Sequence, residues 1–404
     1  MDKRFIIAIA FLMGCTTTEN QISDLVEQMA GNPIESTAWT ESVEGLTAIG
    51  RPAARLLISQ LNPSHYVGKN YREFRSEIEK LRTGSARVLG RIKPRGATGP
   101  LKDRISSAYT DPERIACIWA LGETGFNQAG MDALLNVLSD SNPIIRLHSA
   151  IALIKMDNEN GYEEIENAVY GDQSELRDIV NVGLRESSYF GVPVIKRLMN
   201  GEGSEQKLLK EISNSVGDKL ISLLQSENPE IRRRSSIALG ILNEMRFEEP
   251  LLGCLEDPSN QVKFSAAASL AGIGSKKGIE FLFEAMRNED PILRSNAVKF
   301  LAKVQQSGEM VQEKLISSMQ DADPMSRAGA AQVLGLANVV DAIEILETAT
   351  TDKSPTVRAN AIIALGHIGL IRSEEHLITS TQDSDATVAY YANWALSRLN
   401  QTNK

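Results

Sequence analysis

NPIIRLHSAIALIK, residues 142–155, is one copy of a phrase that the chain writes many times. NPEIRRRSSIALGI (228–241), DPILRSNAVKFLAK (290–303), DPMSRAGAAQVLGL (323–336) and SPTVRANAIIALGH (354–367) keep the same order of residue types. Each opens on a helix N-cap type: Asn142, Asn228, Asp290, Asp323 or Ser354, whose side chain can accept from a first-turn N–H. Proline follows at the first helical position, where its missing N–H costs nothing. An Arg comes three residues after the Pro and a Leu seven after the Arg. The phrase therefore predicts one helix, repeated.

With that Leu as a register mark, the series runs Leu46, Leu89, Leu121, Leu153, Leu184, Ile212, Leu239, Leu270, Leu301, Leu334, Leu365 and Leu396. From Leu239 onward the steps are 31, 31, 33, 31 and 31 residues. A near-constant period of this length is the mark of a stacked helical array. Other columns keep the register. Eight residues before the Leu stand Ile145, Leu176, Ile231, Val262, Leu293, Val357 and Val388, with Ser326 the exception. Four before it the residue is small: Cys117, Ser149, Ser235, Ala266, Ala297, Ala330, Ala361, Ala392. One before it come Ala120, Ala152, Ala238, Phe300, Val333, Ala364 and Ala395. These spacings define one buried stripe, and its small residues let neighbouring helices approach closely. Between copies lies another amphipathic helix, as at 129–138, usually closed by an acid thirteen before the next Leu: Asp140, Asp257, Asp321, Asp352, Asp383.

The pattern D-x-x-P-x-[hydrophobic]-R-x-x-A-x-x-A-L-G resembles the short HEAT-like repeats first described in phycobilin lyases, over roughly residues 20–400. The resemblance implies an all-α, right-handed α-solenoid of about twelve helix pairs spanning 21–400. Two departures stand out. Residues 62–75 are an insertion in the second repeat, with His65, Tyr66, Tyr71 and Phe74. The sixth repeat, near 190–213, lacks the Pro, Arg and Ala columns, so irregular packing is expected there.

The first residues carry a different signal. Asp2-Lys3-Arg4 precedes the apolar run Phe5 to Met13, too short to span a bilayer and of signal-peptide length. Leu12-Met13-Gly14-Cys15 resembles the lipobox of bacterial lipoproteins, although Met13 is a less usual occupant of its slot. That resemblance implies a signal peptide over 1–14, an acylated Cys15 in the bilayer and a short tether over 15–20. Cleavage would remove Asp2, Lys3 and Arg4 and take the net charge from −9 to −10. Thr16 is not the Asp that retains enteric lipoproteins at the inner membrane. The outer membrane is therefore expected where the organism has one, and the outer face of the cytoplasmic membrane otherwise.

Function is less legible. A net charge of −9 is the opposite of the basic footprint a nucleic-acid binder needs, so no nucleic-acid partner is expected. Three Cys make no disulfide scaffold, and Cys117 and Cys254, both in apolar helices, are expected as buried free thiols. Among families with HEAT-like repeats, deoxyhypusine hydroxylases hold iron through His-Glu dipeptides. Here His65, His148, His367 and His376 precede Tyr, Ser, Ile and Leu. Phycobilin lyases act on cytoplasmic pigment proteins, which an exported lipoprotein would not meet. No G-x-S-x-G, Walker loop, H-E-x-x-H or C-x-x-C occurs, and Glu374-Glu375-His376 reads as a solvated first turn. The expectation is no enzyme, no metal and no cofactor.

The Arg column (Arg82, Arg114, Arg146, Arg177, Arg232, Arg294, Arg327, Arg358, with Lys263) is expected to pair with the acids of adjacent turns as a structural ladder. The run Arg232-Arg233-Arg234 reads as a local patch. The expected function is a scaffold for another protein, and the alternative is an envelope-assembly lipoprotein without a dedicated partner. Second helices of such arrays usually line the concave face. The residues two and five before the register Leu point away from the buried stripe. They include Trp119, His148, Arg234, Asn296, Lys299, Gln332, Asn360, Tyr391 and Trp394, the candidate protein-binding set.

Overall fold

The computed structural model describes residues 18–62, 74–125, 127–200, 206–306 and 311–402. Every regular element among them is helical. In chain order they are α1 (Thr18–Gly31), α2 (Thr37–Ile49), α3 (Arg51–Leu61), α4 (Arg75–Ile92), α5 (Thr98–Ser107), α6 (Asp111–Thr124), α7 (Gln128–Val137), α8 (Pro143–Lys155), α9 (Tyr162–Tyr170), α10 (Ser174–Ser187), α11 (Val192–Met199) and α12 (Gln206–Leu223). Then follow α13 (Pro229–Leu242), α14 (Glu248–Gly253), α15 (Asn260–Gly272), α16 (Lys276–Ala285), α17 (Pro291–Gln306), α18 (Gln312–Ser318), α19 (Pro324–Leu336), α20 (Ile343–Ala349), α21 (Pro355–Ile368), α22 (Glu374–Ser380) and α23 (Ala386–Thr402). The leader, Cys15 and residues 63–73 of the insertion lie outside the described residues.

The chain divides into two compact units, Met1–Val216 and Gly217–Lys404. Each is an α-solenoid in its own right. In the first, second helix packs on second helix through α4, α6, α8 and α10. In the other, the row is α13, α15, α17, α19, α21 and α23. First helices such as α16, α18, α20 and α22 each lean on the second helix that follows.

Local chemistry explains where the helices start. Asn142, Asn228, Asp290 and Asp323 accept from the N–H two residues on, at 3.0, 2.9, 2.8 and 3.0 Å. Ser354 holds the same place but its hydroxyl makes no cap bond. The buried stripe is as the columns predict. The small residues four before the register Leu, Cys117, Ser149, Ser235, Ala266, Ala297, Ala330, Ala361 and Ala392, are each 0% exposed. Leu396, on α23, is half-buried. Each fully buried Leu contributes about 1.5–3 kcal/mol of transfer free energy.

Glycine after the register Leu sets the spacing between layers. A Cβ on Gly335 would stand 2.5 Å from Cα of Ala364, and one on Gly122 would stand 2.9 Å from Cα of Ala152. Those partners are the residues one before the next register Leu, so backbone meets backbone at these two layers.

Two features differ from expectation. Helix α1 begins at Thr18, inside the stretch 15–20 assigned to a tether, with Glu19 favourably placed in its first turn. Helix α12 is continuous through Ile212, where a repeat boundary was expected to follow. No proline interrupts it, and Leu209, Ile212, Val216 and Leu220 form one unbroken buried stripe. The second helix of the sixth repeat and the first helix of the seventh are therefore a single helix.

Candidate functional site

The face of each second helix opposite the stripe carries the residues five and two before the register Leu. One turn further on, two after it, lies a third column that completes the same face. The sequence reading named the first two columns and missed the third, although the 3-and-4 spacing that found the core also predicts it.

In the first unit this third column holds Glu123, Lys155 and Glu186 on α6, α8 and α10. Lys155, 9% exposed, reaches Glu123 at 2.7 Å and Glu186 at 3.3 Å. Its ammonium also stands 5.7 Å from the ring centre of Trp119. Trp119 is half-buried and lies over Gly90, where a Cβ would come within 2.6 Å of its ring. His148, also half-buried, has its pKa pushed down by burial, with Glu186 opposing and Lys155 adding to the shift. Trp119 and His148 are thus built into a cross-repeat cluster.

In the second unit the same face is open and differently charged. A cleft of about 370 Å³ lies between α13, α15 and α17, bordered by Ile237, Ile241, Phe300 and Lys303. A second, about 350 Å³, shares Phe300 and Lys303 and adds Asn296, Lys299, Gln306 and Leu336. Phe300 is stacked on Phe264 at 6.1 Å, which in turn meets the edge of Phe281 at 5.8 Å. Gln332 donates to Asn360 at 3.1 Å, so these two candidates tie α19 to α21. Trp394 sits over Gly366 as Trp119 sits over Gly90, with a Cβ-to-ring distance of 2.8 Å. It meets the rings of His367 at 5.4 Å and Tyr391 at 6.5 Å, and Arg398 lies 5.3 Å from its centre. Burial, with Arg398 nearby, pushes the His367 pKa down.

The Arg column is the ladder that was expected. Arg232, Arg327 and Arg358 each grip, through two nitrogens, the Asp 25 residues ahead: Asp257 at 2.6 and 2.9 Å, Asp352 at 2.8 and 2.8 Å, Asp383 at 2.7 and 2.7 Å. The remaining nitrogen donates to the carbonyl six residues back, at Ser226, Asp321 and Asp352. Some members vary this: Arg146 takes Glu164 at 3.0 Å, and Asp321 is held by Arg287 at 2.6 Å. Arg233 and Arg234 both bind Glu230 at 2.8 Å, which holds its carboxyl at about 2. The triple-Arg run is therefore one ladder rung and two internally paired residues.

These bonds hold the carboxyls of Asp257, Asp352 and Asp383 below the usual range, the guanidinium hydrogen bond being the largest cause. A lowered folded pKa means stability that is present above the unfolded value of about 3.9 and lost as pH falls through the folded value. The melting temperature is thus expected to drop steeply as acid is added below pH of about 4, and Asp383→Asn should flatten that drop when melting is followed by circular dichroism.

Cys117 and Cys254 are buried free thiols, as expected. Glu375 and His376 are exposed on the first turn of α22. Among the described residues no group of His, Cys, Asp and Glu is placed to hold a metal ion, and no helix is long and apolar enough to cross a membrane.

Residues 248–313 and 312–397 match the HEAT-repeat family model, a match that covers most of the second unit. No curated protein matches the chain. Similar solved structures include human deoxyhypusine hydroxylase in complex with glycerol, 18% identical over 67% of this chain and 96% of that one, with a TM-score of 0.26. An engineered protein is 17% identical over 98% of both chains, with a TM-score of 0.28. A structure described as Kap95p binding to RanGDP is 14% identical over 95% of this chain and 55% of that one, with a TM-score of 0.35.

Proposed function

We propose that the protein is an extracytoplasmic, membrane-anchored scaffold that holds another protein on the exposed face of its second helices and catalyses no reaction. The face itself is the observation that supports this reading most. Its three columns recur at each repeat at a fixed spacing, which suits an extended partner. They also carry the Trp, Tyr and cationic side chains that serve as anchors at interfaces. The reading keeps acylated Cys15 as the bilayer attachment, on the strength of Leu12-Met13-Gly14-Cys15. With α1 starting at Thr18, only Thr16 and Thr17 would separate the lipid from the first helix. An extended chain of that length reaches about 10 Å, so the array would rest against the outer membrane surface.

Crosslinking in native envelopes followed by mass spectrometry tests the reading. A single dominant protein partner is expected, and Trp119→Ala with Tyr391→Ala should reduce its capture at least tenfold while helicity is unchanged by circular dichroism. Capture that survives substitution of the whole candidate set would overturn the assignment of this face. Cys15→Ser should release the protein from the membrane fraction.

A further inference from the structure

Across α13, α15, α17, α19, α21 and α23, the three exposed columns contain no Asp or Glu, in a chain with 52 acids and 43 bases. The same columns hold Arg234, Lys299, Lys303 and Arg398. Glu230 stands at the margin and is engaged by Arg233 and Arg234. The first unit's third column is different, because Lys155 lies between Glu123 and Glu186, two carboxylates to one ammonium.

We infer that this acid-free face of the second unit takes an acidic, amphipathic segment of the partner protein. The inference rests on the scaffold reading above and adds the chemistry of what is held. Charge complementarity selects the acid: in an acidic protein these three columns carry cations and no carboxylate. The apolar requirement comes from the two clefts that meet at Phe300 and Lys303. Around them Ile237, Ile241 and Leu336 are 36%, 38% and 44% exposed. The Lys303 ammonium stands 5.8 Å from the Phe300 ring centre, so cation and apolar floor are presented together. Second helices stack at roughly 8–10 Å, close to the two-turn rise of about 11 Å along an amphipathic helix. Leu or Phe side chains two turns apart would enter successive clefts while carboxylates between them meet Lys299 and Lys303. The apolar clefts favour an amphipathic polypeptide over nucleic acid, which has no apolar side chains to fill them.

The test uses the purified chain and two fluorescein-labelled peptides of about 20 residues, one of Glu and Leu in helical spacing and one with Lys in place of Glu. Anisotropy should show the Glu–Leu peptide binding at least tenfold more tightly, and more weakly as salt rises. Lys299→Glu with Lys303→Glu should cost it at least tenfold. Lys276→Glu with Lys277→Glu, exposed at the start of α16, should leave binding unchanged. Equal binding of the two peptides, indifference to the Lys299 and Lys303 reversals, or binding to phosphatidylglycerol vesicles in place of the Glu–Leu peptide would overturn the inference. The same reversed chain separates the two readings in the envelope crosslinking experiment. A partner captured undiminished leaves the scaffold standing and removes this face from it, whereas no partner with either chain removes the scaffold itself.

Discussion

Glu113→Gln is expected to destabilise the first unit by about 3–5 kcal/mol, the usual result of removing one partner from a buried ion pair. Glu113, Arg82 and Arg104 are each 1% exposed. The Glu113 carboxylate receives Arg104 at 2.6 Å and stands 3.9 Å from Arg82. One carboxylate thus lies between two guanidinium groups that water cannot reach. Glutamine keeps the volume and removes the charge that faces Arg104 at 2.6 Å in a medium of low dielectric constant. Arg104 retains the carbonyl of Ser107 at 3.0 Å, which carries no full charge. Urea unfolding followed by tryptophan fluorescence should show the early loss at Trp39 and Trp119, both in this unit. A fall of roughly 10 °C in melting temperature should accompany it. An unchanged midpoint would mean that the carboxylate does not compensate the two arginines.

Gly335→Ala should lower stability by about 1–3 kcal/mol, the cost of overpacking a tight core, although Ala is the better helix former by about 1 kcal/mol. The sign turns on space. At Gly335 the added Cβ meets Cα of Ala364 at 2.5 Å, a backbone atom that cannot rotate away. Gly253 provides the contrast, since it is helical with nothing within 4 Å of a built Cβ. There the same substitution should stabilise by about 0.4–1 kcal/mol through the unfolded chain. Measuring both variants by thermal unfolding separates close packing from propensity.

The array was legible because each repeat uses the same residues for the same task. The small column four before the Leu could be named from spacing alone, since a buried, crowded position favours Cys, Ser and Ala, and it gives way to Val180 and Leu208 only in the two repeats marked by Leu184 and Ile212. Ser326 broke the apolar column eight before the Leu, and the structure supplies the reason. Its hydroxyl lies 3.3 Å from Asp321 and accepts from Arg287 at 3.3 Å, so a polar group there is satisfied by the ladder. The fused helix α12 is harder to read, because a missing proline signals irregular packing as readily as the absence of a stop. The exposed face was only partly legible. Trp119 and Trp394 look like free anchors in one dimension, yet each covers a glycine contributed by the preceding repeat. That relation crosses a layer and appears only when Gly90 is set beside Trp119 and Gly366 beside Trp394.

The ladder geometry also bears on how such a chain can change length. Arg327 and Arg358 hold the same kinds of partner at the same offsets, a carbonyl six residues behind and a carboxylate 25 ahead. Remove residues 328–358 as one piece, and Arg327 keeps Asp321 behind it while Asp383 arrives in the place vacated by Asp352. Excision or duplication of one whole period is therefore self-healing, whereas a shift of one or two residues breaks every rung it crosses. Slippage in units of a repeat would leave the fold intact and alter only how many helix layers stand in the row, so the reach of the molecule is inherited separately from its stability.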